Sequence, residues 1–324
     1  MAAIETDGLS KDYRIGFWRP RPYRALHPLT LSVESGEVFG FLGPNGAGKT
    51  TTLKLLMQLV YPTAGSATIL GRPLGDREMK RRIGFLPENP YFYDYLTAEE
   101  LLSYFGGLFG YKGADRAKRV SRLLDDVGVG GERRMQLRKF SKGMIQRVGL
   151  AQALINDPEL VFLDEPMSGL DPIGRRDVRA LILRLREEGR TVFFSSHILS
   201  DAETLCSRIA IVVKGHLTAS GSLAELVTST VKGWEIVLDG LPQTPAGPAL
   251  LKVTPLAPGR FAVEAVPSVD PAQLARELAG ATGRLVSINP IHDTLEDLFV
   301  QQVDNAASTD RFDGGTEPNR EKSA

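Results

Sequence analysis

Gly43-Pro44-Asn45-Gly46-Ala47-Gly48-Lys49-Thr50-Thr51 fits the pattern G-x-x-x-x-G-K-[ST], with a third glycine inside it. Its glycines let successive backbone N–H groups turn inward on phosphate oxygens. Lys49 then meets the β- and γ-phosphates as a point charge, and the Thr50 hydroxyl is offered to Mg²⁺. The flanks agree with this. Val38-Phe39-Gly40-Phe41-Leu42 is an apolar run suited to a buried strand, and Thr51 to Val60 has the composition of a helix whose positive end faces the loop. A nucleoside triphosphate is the implied ligand, with Gly43, Asn45, Gly46, Gly48, Lys49, Thr50 and Thr51 as its cradle.

Working outward, 39 Lys and Arg balance 39 Asp and Glu, so net charge gives no support to nucleic-acid binding. The longest apolar runs, such as Ile209 to Val213, are too short for a bilayer, and Met1-Ala2-Ala3-Ile4-Glu5 has no secretory character. The expectation is a soluble cytoplasmic protein. Cys206 is the single cysteine, which excludes an internal disulfide and reads as a packed small residue.

Up to about Lys214, strand-like and helix-like segments alternate, the pattern of an α/β fold with a mainly parallel sheet. Helical signals interrupt it over about 88–158. There Thr97-Ala98-Glu99-Glu100 forms a capping box ahead of Leu101, Leu102, Phe105, Leu108 and Phe109 at helical spacing. Beyond the first domain, 1–216, Gly and Pro clusters separate short strands at Trp234–Leu238, Phe261–Val266 and Leu285–Ile288. Helices are predicted over Pro271–Ala279 and Thr294–Val303. These make a small α+β domain over 217–303, and the polar stretch 304–324 reads as a disordered tail.

Leu160-Val161-Phe162-Leu163 leads into Asp164-Glu165, two acids at the end of a buried-type strand. Alternation along the strand points them differently. One suits Mg²⁺ through water and the other suits a general base facing an attacking water. Alone, such a pair is more often a solvated pair of loop acids; beside a phosphate loop it acquires a task. Ser141 stands as N-cap before a helix starting Lys142-Gly143-Met144, and a serine, a glycine and a helix N-terminus make a second anion site that the phosphate loop does not need.

With these segments in order, the chain resembles the ATP-binding subunit of an ABC transporter of the export type. Gly43 to Thr51 corresponds to the Walker A loop and Ser141-Lys142-Gly143-Met144 to the signature. Asp164-Glu165 corresponds to Walker B with the catalytic base, Ser168-Gly169-Leu170-Asp171 to the D-loop, and His197 to the switch histidine. Tyr13 matches the aromatic that stacks on adenine, although an ordinary strand aromatic is the other reading. Glu88 takes a position where glutamine is common, keeping an oxygen for Mg²⁺ but losing an amide donor. Lys142 stands where glycine is usual. It either adds charge toward a partner's γ-phosphate or lies along the surface. Of the aromatic-rich segment from Phe85 to Tyr111, some rings read as core of the helical insertion and the tyrosines of the loop after Glu88 suit a groove for a partner helix, while Arg14 to Arg24 reads as a basic, Pro-interrupted aromatic hairpin. His27, His216 and His292 have no assigned role.

The resemblance implies ATP and Mg²⁺ as ligands, with Thr50, Asp164 and Glu88 toward the metal, Glu165 and His197 in catalysis, Asp171 in the D-loop, and Ser141 and Gly143 acting across a head-to-tail homodimer or heterodimer. It implies a separately encoded membrane-spanning permease as partner and a position on the cytoplasmic face of the membrane. Two rivals belong to other classes. An ABC-type ATPase working on ribosomes or DNA usually carries two nucleotide domains or a long coiled coil, and a P-loop kinase lacks the signature and switch histidine.

Overall fold

The computed structural model describes residues 2–16, 18, 21–227, 231–292 and 294–313. The chain opens with strands β1 (Ala2–Ile15), β2 (Arg21–Glu34) and β3 (Val38–Leu42), then helix α1 (Lys49–Leu56). Next come β4 (Ala64–Ile69), β5 (Arg72–Pro73), α2 (Arg77–Arg81) and β6 (Ile83–Leu86). Three helices follow, α3 (Ala98–Leu108), α4 (Gly113–Asp126) and α5 (Lys142–Ala153). The α/β alternation resumes with β7 (Leu160–Asp164), α6 (Pro172–Glu187), β8 (Thr191–Ser196), α7 (Leu199–Leu205), β9 (Arg208–Val213) and β10 (His216–Ser222).

A six-stranded sheet of order β10-β9-β3-β8-β7-β6 forms the centre, parallel except for the β9–β10 hairpin. All five residues of β3 and of β7 are buried, as expected for strands covered on both faces. Phe193 of β8 packs against Phe39, Phe41 and Phe162 with ring centroids 5.7, 5.4 and 5.7 Å away, so three neighbouring strands share one aromatic cluster. Close approach is enforced at Gly84 of β6, where an added Cβ would run into the Ala153 carbonyl oxygen. The registers place Leu42 beside Ser196 and Asp164 beside Ser195. The carboxyl ends of β3, β7 and β8 therefore converge, where an open α/β sheet presents its ligand site.

A second, antiparallel sheet of order β2-β1-β4-β5 was not legible in the sequence. Its β1–β2 ladder runs from Ala2↔Glu34 to Ile15↔Arg21, which confirms the Arg14–Arg24 hairpin for the described residues; Phe17, Arg19 and Pro20 lie outside them. The helix after the phosphate loop is shorter than expected. It ends at Leu56, Gln58 takes φ 52°, and the N–H groups of Leu59 and Val60 turn back to the Lys54 carbonyl.

In the helical insertion, Thr97 and Glu100 form the expected capping box. The Thr97 hydroxyl accepts from Glu100 N at 3.2 Å, and Thr97 N donates to the Glu100 carboxylate at 2.9 Å. Helix α4 buries Val120, Leu123 and Leu124 along one face.

The chain divides into two compact units, Met1–Leu223 with Phe299–Ala324, and Ala224–Leu298. The first boundary falls after Leu223 rather than at 216 because β10 pairs with β9 and completes the central sheet. Further on come α8 (Leu223–Leu226), β11 (Val231–Asp239), β12 (Leu250–Ala257), β13 (Arg260–Ala265), α9 (Pro271–Ala279), β14 (Arg284–His292) and α10 (Leu295–Asp313). In the second unit a sheet of order β12-β13-β11-β14 and α9 enclose Ile236, Leu238, Leu241 and Ala275. Strand β12 was missed; Pro255 and its mostly exposed face hide the alternation of a buried strand. Helix α10 corrects the start of the disordered tail. It continues past Asp304 because no helix breaker occurs before Gly314-Gly315, and 314–324 lie outside the described residues.

Phe193→Ala would leave a cavity between three strands and should lower the free energy of unfolding by about 3–5 kcal/mol, read from the denaturant midpoint.

Candidate functional site

Helix α1 starts without a side-chain cap, since Gly48 is its N-cap at φ 101°. A Cβ at Gly48 would come within 2.7 Å of the Ala25 carbonyl oxygen, so the loop needs glycine there both for its dihedral and for its closeness to β2. The first-turn N–H groups thus lack a side-chain acceptor, which suits them to anion binding.

Lys49 is nearly buried, and its Nζ donates to the carbonyl oxygens of Gly43 at 2.7 Å and Pro44 at 3.3 Å. The same ammonium lies 3.2 Å from Glu165 Oε1. The other carboxylate oxygen, Oε2, is 2.9 Å from His197 Nδ1. Glu165 therefore sits between a lysine and an imidazole, itself buried while the histidine is partly exposed. Its backbone is held in the left-handed region at φ 49°, and its N–H meets both the Ser195 carbonyl and hydroxyl at 3.2 Å. A non-glycine residue with that φ is uncommon and concentrates at functional positions.

Asp164 points elsewhere, as alternation requires. Its Oδ1 accepts from the Ser195 hydroxyl at 2.6 Å, and the residue is 1% exposed. One serine thus orients both acids, accepting from the Glu165 N–H and donating to Asp164. Sequence reading passed over Ser195; the available signal was a small polar residue ending the apolar run Thr191-Val192-Phe193-Phe194.

Lys49, Glu165 and His197 border a cavity of about 780 Å³ that also takes in Asn45 to Thr51, Glu88, Ser168, Tyr13 and Tyr23. Gly43 and Asp164 are not among its lining residues. Ser141, Gly143 and Asp171 do not line it. Ser141 is exposed and caps α5, its hydroxyl accepting from Met144 N at 3.2 Å; Asp171 caps α6, accepting from Gly174 N at 2.8 Å. For Lys142 the side chain follows its own chain's loop, since a Cβ on Gly169 would come within 2.9 Å of Lys142 Cε.

Among the described residues no cluster of three His, Cys, Asp or Glu side chains forms a metal cage. Thr50 and Glu88 both border the cavity, whereas Asp164 is not in its lining and accepts from Ser195; a hydroxyl and a carboxylate are donor types that suit Mg²⁺. That ion keeps several waters and takes few protein ligands when phosphates share it.

The ABC transporter family profile matches residues 26–168. An ABC transporter ATP-binding protein of Synechocystis is 48% identical over 305 residues, covering 93% of this chain and 84% of that protein. This chain belongs to the ABC transporter family, as an ATP-binding protein. A bacitracin transport ATP-binding protein of Bacillus licheniformis is 42% identical over 217 residues, with 66% of this chain and 68% of that protein covered. Among solved structures, the dimeric post-hydrolysis state of an ATP-binding cassette bound to ADP and Pi aligns with TM-score 0.62 and 28% identity, covering 68% of this chain and 98% of that one.

Behind the ABC phosphate loop lies a pair that sequence left without a role. Gly215 N donates to the Ala47 carbonyl and His27 N to the Gly215 carbonyl, each at 2.9 Å, and the His27 and His216 rings stack at 3.4 Å. Burial, then the neighbouring His216 and Arg24, hold His27 below the usual histidine value, with Asp12 opposing. A depressed folded-state value means that the unfolded chain binds the proton more readily. Stability from His27 is therefore complete above roughly pH 6.5 and lost as pH falls through the folded value. Thermal melts from pH 7.5 to 5 should show this decline, and His27→Gln should flatten it.

Proposed function

We propose that this chain is the Mg²⁺-dependent ATPase subunit of an ABC exporter, hydrolysing ATP to ADP and phosphate beneath a separate membrane-spanning permease. The placement of Glu165 between Lys49 and His197 carries the reading. An entering γ-phosphate is a stronger partner for the ammonium than a carboxylate, so Lys49 turns to the nucleotide and Glu165 is released toward solvent-facing space. Glu165 then accepts a proton from water. The water oxygen bonds to the γ-phosphorus as the bond to the bridging oxygen of ADP breaks. His197 Nδ1, already 2.9 Å from Glu165, keeps the carboxylate directed at that water. Mg²⁺, taken up by Thr50 with Glu88 and Asp164, would neutralise phosphate charge.

Ser141, Gly143 and Asp171 lie outside the cavity, so in this reading they serve the nucleotide of a second copy in a head-to-tail dimer. The dimeric cassette with ADP and Pi supports the pairing. A relative named for fluoroquinolones export supports the direction, and one named for bacitracin transport supports a transport role that needs a membrane partner. So does a groove of about 380 Å³ near β6, where Tyr91 is 94% exposed beside Pro90, Phe92 and Phe109. Among the described residues no helix is long and apolar enough to cross a membrane.

Glu165→Gln should bind Mg·ATP near native affinity while phosphate release falls at least 100-fold. Undiminished release would remove Glu165 from the role of base. In mixtures, Lys49→Ala and Ser141→Ala subunits should together regain part of the activity that each lacks alone. A mixture that forms dimers but stays inactive would place Ser141 outside the partner's site.

A further inference from the structure

We propose that Tyr23 is the second half of a nucleobase platform and sets a preference for purine over pyrimidine triphosphates. This rests on the nucleotide-site reading above. Only Tyr13 was legible as a base contact, but Tyr23 is its direct partner in the β1–β2 ladder. Directly opposed residues of an antiparallel pair project to the same face, with Cβ atoms roughly 5 Å apart. Both tyrosines border the cavity that the phosphate loop lines.

The hairpin is braced at the adjacent pair, where Arg24 forks onto Asp12 at 2.7 and 2.9 Å. Neighbouring pairs face opposite ways, so this bridge stiffens the ladder without entering the tyrosine face. Tyr13 is also fixed from outside. The Lys11 ammonium lies 5.2 Å from its ring centroid and donates to the Tyr61 carbonyl at 2.6 Å, and Lys11 is not part of the cavity border. Tyr23 keeps half its surface exposed. Two phenols on one face of the ladder, both bordering the cavity that the phosphate loop lines, together offer an area longer than one ring. A purine has two fused rings and covers both; a pyrimidine has one and is served by Tyr13 alone. Stacking follows the overlapped area, so Tyr23 matters to the purine.

Calorimetric titration of the full-length native, Tyr23→Ala and Tyr23→Phe proteins with Mg·ATP, Mg·CTP and Mg·tripolyphosphate tests this. Tyr23→Ala should weaken ATP about tenfold, CTP by less than about threefold and tripolyphosphate not at all, whereas Tyr23→Phe should keep ATP affinity. Unchanged tripolyphosphate binding also shows that the phosphate loop remains folded in the variant. Equal weakening of all three ligands, or no weakening of ATP, would overturn the proposal. So would a native protein that binds ATP no better than tripolyphosphate. A native protein that binds none of the three overturns the nucleotide-site reading itself.

Discussion

Lys49 and Glu165 form an ion pair at 3.2 Å with side chains only 7% and 8% exposed, and the site depends on that pair. Two buried charges are costly to desolvate, and either one left alone there would cost on the order of 3–5 kcal/mol. The pair persists because each member has further partners. Lys49 donates to two carbonyl oxygens of its own loop, and Glu165 meets His197. Such an arrangement is poised for exchange. In the proposed function an incoming polyphosphate replaces the carboxylate beside Lys49, and the displaced carboxylate takes the proton from water.

Holding that pair is the work of the central sheet. Lys49 enters from the helix after β3 and Glu165 from the end of β7, with β8 between the two strands. Registers of Leu42↔Ser196 and Asp164↔Ser195 decide whether the two ends meet, and a slip of one residue would turn every side chain to the other face. Phe193 on the middle strand touches rings on both neighbours, so the aromatic cluster resists such slippage. At the strand end Ser195 converts this register into chemistry. Its hydroxyl fixes Asp164 and accepts the N–H of Glu165, whose left-handed φ turns the side chain toward Lys49.

What the sequence disclosed was mostly local. The phosphate loop, the Thr97 capping box, the Ser141 N-cap and the acid pair each lie within a few consecutive residues, and their chemistry is readable from spacing. Pairings across long separations were not readable. Tyr23 became significant only through its register with Tyr13, and Ser195 only through its distance from Asp164 across the ladder. The antiparallel sheet escaped for the same reason: β1 joins β4 from Ile4↔Ile69 to Ser10↔Ala64, and nothing local announces that partner. Tail and helix boundaries failed differently. Polar composition argued for disorder beyond Asp304, yet the absence of Gly or Pro before Gly314 let α10 run on.

The helix tip at Ser141 and the strand end at Glu165 are separate surfaces, but short contacts join them within one chain. Gln146 of α5, 2% exposed, donates to the Pro166 carbonyl at 3.4 Å, immediately after Glu165. Gly143 faces Leu170 so closely that a Cβ would lie 3.2 Å from its side chain, and Lys142 lies along Gly169. The loop from Glu165 to Asp171 is thus gripped at one end by the base's strand and along its length by the start of α5. Ser141, at the tip of that helix, cannot shift far without displacing Pro166 or Leu170. Packed elements of this kind move between discrete arrangements rather than deforming continuously. The helix tip that Ser141 caps and the strand end that carries Glu165 are therefore held by one set of packed contacts inside the subunit.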